Sequence, residues 1–398
     1  MREFTAAALN LCLTLLALPA VLACGYLLLC TLLSARARPP KPSSRRVRFD
    51  VFVPAHDEET VIARTVANLR ALDWPADRFR VTVIADNCGD ATSRIAAAAG
   101  ARVYERTDLE KRGKGYALAY AFERSAAEGW ADAVVVIDAD AEASTNLLEA
   151  FARRIDTGAC AVQAHYGVLN PLASWRTRLI TIAKAAFHIV RSRARERVGV
   201  SCGIRGNGWC VTHALLSNVP YRAFSLTEDV EYGIELGLAG YRVQYADEAH
   251  SDADMVSGEQ IARKQRQRWE HGRFQLIRAK TWTLLQAACR ERSAVCFDLA
   301  LDLLVLPLSY VTLNVFALLA LALLASWWQA PLRPWIWLGV ACAASLVSYV
   351  LRGWRLSGIG ARGVLDLARA PGFLLWKILL MLRRRKSDEW VRTDREKP

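Results

Sequence analysis

No charged residue stands between Glu3 and Arg36, and none stands between Asp302 and Arg333. About 20 apolar residues in a helix cross the hydrocarbon core of a bilayer, and both stretches exceed that length. A third, residues 334–351, is just long enough, and it opens on Trp335 and Trp337, which suit a membrane interface. Arg36, Arg38, Lys41, Arg45, Arg46 and Arg48 follow the first stretch at once. By the positive-inside rule this flank stays in the cytoplasm, with the amino terminus outside and the long polar middle of the chain inside. A cleaved leader is the alternative reading, because Ala35-Arg36-Ala37 imitates a cleavage site. Against it, the apolar part is far longer than a signal core, and the amino end carries one Arg against one Glu.

The chain has 398 residues, which allows two units, and a formal net charge of +13, which raises nucleic acid as a partner. Ten of the basic residues, however, are the six above plus Arg383, Arg384, Arg385 and Lys386, and both clusters adjoin apolar segments. Anionic lipid headgroups account for them with no nucleic acid. The ten cysteines contain no Cys-x-x-Cys pair, and Cys12, Cys24, Cys30 and Cys342 lie in the apolar end segments. That usage fits reduced thiols, with neither a zinc site nor a disulfide frame.

Between the apolar ends, residues 39–44 read as a linker, and from 47 onward strands alternate with helices. Residues 47–53 form a strand that ends in the polar turn Pro54-Ala55-His56-Asp57-Glu58-Glu59, followed by a helix over 60–72. A strand over 80–85 closes on Asp86, a helix over 91–99 stops at Gly100, and a short strand lies near Val103. Lys111-Arg112-Gly113-Lys114-Gly115 leads into a helix over 116–128; its spacing is not that of a P-loop. Then Val134-Val135-Val136-Ile137 reads as a strand buried on both faces and ends in Asp138 and Asp140. This alternation predicts a doubly wound α/β domain with a parallel sheet, whose ligands collect beyond the carboxyl ends of the strands. Residues 150–200 read as helical. Glycines at 203, 206 and 208 imply that the backbone passes close to something. Thr227-Glu228-Asp229 opens a helix to residue 238 with Thr227 as its N-cap, a strand covers 242–245, and 261–278 is a basic helix. On that helix Gln265 and Arg268 share a face, and Trp269 follows with an aromatic ring able to stack on a ligand. A solvated acidic helix start and a basic helix lying on the membrane are the plain alternatives for these last two motifs.

The turn 54–59, Asp86, the Asp138/Asp140 pair, Thr227-Glu228-Asp229 and Gln265-x-x-Arg268-Trp269 occur in the order and approximate spacing of membrane-bound family-2 glycosyltransferases. The chain resembles the group that contains cellulose, chitin, hyaluronan and poly-N-acetylglucosamine synthases. The resemblance implies a GT-A fold, a nucleotide-diphosphate sugar donor, and Mg²⁺ or Mn²⁺ as cofactor. Asp86 would accept a hydrogen bond from the base, expected to be uracil, and Asp57 or Glu58 would line the same pocket. Lys114 would face the diphosphate, Asp138 would hold the nucleotide sugar, and Asp140 would bind the metal. Asp229 would be the general base of an inverting transfer, with Glu228, Gln265, Arg268 and Trp269 on the substrates. His250 is a further candidate metal ligand, with a structural role as the alternative. Two departures stand out: Ile204-Arg205-Gly206-Asn207-Gly208 replaces the aromatic-rich Cys-Gly-Ser acceptor motif, and few apolar helices follow the domain.

The expected layout is a membrane helix in 1–35, a basic linker over 36–46 and a GT-A domain over 47–280 ending in an interfacial helix. Two membrane helices over 299–351 and a basic cytoplasmic tail over 352–398 follow. Residues 364–382 are read as a helix along the inner surface, with a further crossing as the alternative. Function is expected to be sugar transfer at the inner (plasma) membrane to a hydroxyl of a polysaccharide or a lipid-linked acceptor, with the lipid bilayer and membrane subunits as partners. Single transfer to a glycolipid and non-catalytic binding of a nucleotide sugar are the rival readings.

Overall fold

The computed structural model describes residues 2–255, 259–328 and 330–369. The sheet contains β1 (Phe49–Ala55), β2 (Phe79–Asp86), β3 (Arg102–Arg106), β4 (Ala133–Val136), β5 (Ala141–Ala143), β6 (Ala161–Val168), β7 (Trp209–Thr212) and β8 (Val243–Ala253), in the order β3-β2-β1-β4-β7-β6-β8-β5. β1 lies between β2 and β4, parallel to both, with Phe49 opposite Phe79 and Ala133. Apolar residues on both faces of these strands explain their central place. Val51, Val53 and Val135 pack with Ile62, Val66 and Leu69 of the helix Ile62–Arg70. Phe52, Val134 and Val136 pack on the other side with Leu118, Ala121 and Phe122 of the helix Lys114–Glu128. The buried Asp50 breaks this pattern and is neutralised: Arg80 reaches both its oxygens at 2.7 Å, and the Ser125 hydroxyl donates to it.

The sheet is mixed rather than parallel throughout, because β7 runs antiparallel to both β4 and β6. The helical reading of 150–200 missed β6, whose Ala-Val-Gln-Ala-His-Tyr-Gly-Val lacks strict alternation and follows directly on the helix Leu147–Ile155. The strand expected over 242–245 continues to Ala253, because β5 and the end of β6 give it partners on both sides. One consequence governs the chemistry. The carboxyl ends of β1, β2, β4, β6 and β8 and the amino end of β7 all lie on one edge of the sheet.

Among the described residues, three helices are long and apolar enough to cross a membrane: Phe4–Leu33, Leu308–Trp327 and Pro334–Ser357. Leu13, Ala17, Leu27, Leu318, Ala322 and Leu346 pack in one cluster, so these helices form a unit. The domain is joined to it by a long helical run, Trp175–Lys184, then a π-helix Ala185–Val190, then Arg191–Arg197. Arg191 and Arg195 in that run meet Asp302 at 2.9 and 3.2 Å, and Arg195 meets Asp298 at 2.6 Å. The Tyr26 hydroxyl donates to Asp298 from the amino-terminal helix. The basic helix spans Glu259–Arg290, longer than its sequence pattern suggested. In the tail a short helix covers Ala361–Leu367, and residues 370–398, with most of the expected surface helix, lie outside the described residues.

Candidate active site

β4 ends at Val136, and a tight turn follows in which the Ala141 amide donates to the Asp138 carbonyl. The Asp138 amide donates to the Asn207 side chain at 3.0 Å, which fixes the turn against the loop before β7. Lys114 opens its helix just after Gly113, whose φ of +120° lets the chain turn inward. Its Nζ lies 2.6 Å from Asp138 Oδ1, 2.9 Å from the Gly206 carbonyl and 3.6 Å from Glu228 Oε1. Burial disfavours the Lys114 ammonium, but Asp138 and Glu228 outweigh burial and hold its pKa above the usual lysine value.

Glu228 and Asp229 begin the helix Glu228–Leu238. Burial pushes Glu228 up to about 7, with Lys114 opposing and Asp229 reinforcing the rise. Burial likewise raises Asp229, again against the pull of Lys114. Thr227 occupies the N-cap position, but its side chain makes no capping bond. It packs instead under Gly272 of the helix Glu259–Arg290, where an added Cβ would come within 2.6 Å of the Thr227 methyl. That contact seats the basic helix beside Asp229.

Gly206 and Tyr166 complete the cluster, and neither was among the expected site residues. A Cβ on Gly206, whose φ is +93°, would stand 3.4 Å from Asp229 Oδ2 and 3.6 Å from Tyr166 Cε1. Burial raises the Tyr166 phenol well above its usual range, and Asp138, Asp140 and Asp229 raise it further while Arg268 opposes. Asp138, Asp140, Asp229 and Arg268 are therefore gathered near Tyr166, and Lys114 and Glu228 join them through the contacts of Lys114 with Asp138, the Gly206 carbonyl and Glu228. The glycine spacing at 203, 206 and 208 did point to a close backbone approach; only the strand β6 that delivers Tyr166 was invisible. Gln163 on β6 pins the loop, donating to the Asn207 carbonyl at 2.7 Å and accepting from the Arg205 amide at 2.8 Å.

Asp57, Glu58 and Asp86 lie next door, at the ends of β1 and β2. Asp57 accepts from the Gly89 amide at 2.7 Å, and the Glu58 amide donates to Thr92. One Asp86 oxygen pairs with Arg106 at 2.5 Å, and Arg106 also holds the Lys111 carbonyl, anchoring the loop that leads to Lys114. Gln265 is half-buried and Trp269 is exposed; among the described residues neither bonds to the cluster. His250 pairs with Asp252 at 3.0 Å.

Two places can be tested against a divalent cation. Asp57, Cys88 and Asp90 have ligand atoms within 4.8 Å of one another. There Asp57 takes the Gly89 amide and Asp90 takes the amides of Glu59 and Thr92, while burial raises the Cys88 thiol. The Asp140 turn offers a half-buried carboxylate beside Asp138, an oxygen donor set that suits Mg²⁺ or Mn²⁺ better than a protonated thiol does.

A family model described as "Glycosyltransferase like family 2" matches residues 46–285. The chain belongs to this family. A probable glycosyltransferase of Bacillus subtilis, YdaM, is 26% identical over 265 residues, 63% of this chain and 60% of that protein. A beta-monoglucosyldiacylglycerol synthase of Synechocystis is 28% identical over 229 residues, 56% of this chain and 47% of that protein. The chain thus spans only about half to 60% of the length of these relatives. In fold, a mannosyltransferase of Pyrobaculum calidifontis, solved with GDP-Man and Mn²⁺, superposes with a TM-score of 0.52 at 18% identity, covering 84% of this chain and 98% of that one. The fold is GT-A, as the order of the motifs implied.

Proposed function

We propose that this glycosyltransferase moves a sugar, with inversion, from a nucleotide-diphosphate sugar to a hydroxyl presented at the inner membrane, its catalytic domain on the cytoplasmic side. The observation that carries the reading is the placement of Asp229. Its carboxylate stands against Gly206 and near Tyr166, within one cluster with Lys114, Asp138 and Arg268. An inverting displacement needs one base in line with the acceptor oxygen. The acceptor oxygen bonds to the anomeric carbon as the bond to the diphosphate oxygen breaks, and the hydroxyl proton passes to Asp229. Lys114 and Arg268 offset the charge that develops on the departing diphosphate. Asp140 would hold Mg²⁺ or Mn²⁺, which when bound supplies further positive charge to the same group. Asp86 and either Asp57 or Glu58 receive the base, uracil by family resemblance; the Pyrobaculum neighbour, solved with GDP-Man, makes guanine the alternative to test. Gln265 and Trp269 extend the site toward the acceptor.

The acceptor is a lipid-borne hydroxyl. Three candidate spans packed beside the domain support this, as do the cyanobacterial relatives whose names describe synthesis of a glucosyldiacylglycerol. A growing polysaccharide is the alternative, and product size separates the two. The test is nucleoside diphosphate release by purified protein with Mn²⁺ and a panel of UDP- and GDP-sugars, comparing the parent with Asp229→Asn and Asp140→Asn. Both substitutions are expected to abolish release; release unaffected by either overturns the assignment.

A further inference from the structure

A cavity of about 160 Å³ lies between the catalytic domain and the membrane unit, lined by His165, Gly167, Thr181, Lys184, Asp252 and Ser357 among others. Its walls come from three places: the ends of β6 and β8, the helical run through Lys184, and the end of the candidate span Pro334–Ser357. The run unwinds into its π-helix where it passes this cavity, with Ala185 and Ile189 on the wall. Such wide turns leave backbone groups outside the regular ladder and gather at functional sites. Here Tyr349 of the span donates to the Ala186 carbonyl at 2.8 Å, and Gly353 packs directly on Ala186.

The lining is polar and incompletely paired. Asp252 gives one oxygen to His250, while its Oδ1 is buried with no hydrogen-bond partner among the described residues. His165 Nδ1 is in the same condition. Asp252 Oδ1 packs on Gly167, where a Cβ would come within 2.2 Å of it and 3.2 Å of His165 Nε2, so only a glycine admits the carboxylate there. A buried carboxylate oxygen and ring nitrogen left unpaired are costly, and a small turn of either side chain toward the cavity would let a ligand's polar groups satisfy them. The charged groups of the lining already have partners: Asp252 pairs with His250 at 3.0 Å, and Lys184 Nζ donates to the Gly167 carbonyl at 3.1 Å and lies over the Tyr166 ring. Hydroxyls, which both donate and accept, suit such a lining better than a phosphate does. The volume holds about five waters, the scale of a small polyol and too little for a nucleotide sugar.

The cavity also adjoins the reaction centre. Lys184 Nζ sits 3.2 Å from the Tyr166 ring centroid, and Tyr166 touches Gly206 beside Asp229. Lys184 of the cavity wall thus touches the ring that borders the carboxylate cluster.

We propose that this cavity seats the uncharged, hydroxyl-bearing headgroup of the membrane lipid acceptor, held by Asp252 and His165, with Leu356 and Ser357 forming its membrane-side wall. The proposal rests on the lipid-acceptor reading above and names its site. The test uses the full chain in phosphatidylcholine nanodiscs carrying dioleoylglycerol as probe. Asp252→Asn, which keeps the side-chain shape, is expected to raise the KM for dioleoylglycerol about tenfold relative to that for the donor, the effect of losing one hydrogen bond to a charged group, and Ser357→Trp, which fills the mouth, is expected to raise it at least as much by exclusion. In parallel, dioleoylglycerol bearing a diazirine on its glycerol is irradiated with the enzyme in the absence of donor. Label is expected on peptides around residues 181–189 and 356–357, and Ser357→Trp should lose it.

An unchanged acceptor KM in both variants, or label that lies elsewhere or survives Ser357→Trp, overturns the seat even when the parent transfers sugar to lipid. A polyprenyl phosphate that displaces the label as well as dioleoylglycerol does overturns the uncharged headgroup. A parent that labels in the cavity yet transfers sugar only to soluble glycans refutes the lipid-acceptor reading and leaves a lipid seat without that role.

Discussion

Replacing Lys114 with methionine removes an ammonium that bridges Asp138 and Glu228 and leaves a side chain of similar length. The Lys114–Glu228 separation is 3.6 Å, with side chains 26% and 14% exposed. Opposite charges at about 4 Å attract by about 1 kcal/mol in bulk water and about 4 kcal/mol in the partly screened interior of a protein. A half-buried pair falls between, at about 2 kcal/mol, or about 1.5 pH units. Lys114 opposes the effect of burial at both Glu228 and Asp229, so its loss strengthens proton binding at the acidic pair. A general base must be ionised to act, and activity therefore falls as the pH drops through its titration. The acidic limb of kcat/KM is expected to move to higher pH by about 1 to 2 units in Lys114→Met and to stay near the parent in Lys114→Arg, which keeps the charge. The assay is nucleoside diphosphate release from about pH 5 to 9 at fixed metal. The lower absolute rate expected from a lost diphosphate contact does not enter, because only the position of the limb is read. A limb that coincides with the parent's, or moves to lower pH, refutes the electrostatic coupling.

Gly206→Val puts a branched side chain at φ +93° and a Cβ 3.4 Å from Asp229 Oδ2; backbone strain of about 1–3 kcal/mol should lower the melting temperature modestly, while turnover falls much further. Gln163→Leu strands the Arg205 amide and the Asn207 carbonyl, at about 1–3 kcal/mol for each group. Denaturant unfolding in detergent should show that loss, and a change under about 1 kcal/mol would remove Gln163 as the brace of the loop. Asp302→Asn leaves Arg191, Arg195 and Arg205 facing an uncharged amide where a carboxylate stood at 2.9, 3.2 and 3.4 Å. A cost of about 3–5 kcal/mol is expected in the same measurement, with dioleoylglycerol KM reported alongside.

Much of the site was legible because its parts are local. Asp138 and Asp140 end a run of β-branched residues, Lys114 stands at a helix start, and Glu228 and Asp229 open a helix, so spacing alone placed each at a strand end or helix terminus. The three apolar segments were equally plain, since length and lack of charge are properties of the chain itself. Other features were hidden because their partners are distant in sequence. β6 carries Gln163, His165 and Tyr166 yet has no clean alternation, being buried along most of its length and flanked in the sheet by β7 and β8, which are distant in sequence. Asp86 looked like a free acceptor, whereas Arg106 from the next strand takes one of its oxygens. Thr227 looked like a cap, whereas Gly272 of the distant basic helix occupies its side.

Read alone, the sequence determined the α/β alternation, the apolar ends and the carboxylates at the strand ends, since hydrophobic period and helix termini are written in neighbouring residues. Only the tertiary structure decided that β7 reverses direction. That reversal brings the loop 201–208 to the carboxyl end of β4 and sets Gly206 between Lys114, Asp229 and Tyr166. Strand direction and burial depend on which surfaces meet, and those contacts set the raised proton affinities of Glu228 and Asp229 and open the cavity between the domain and the candidate spans.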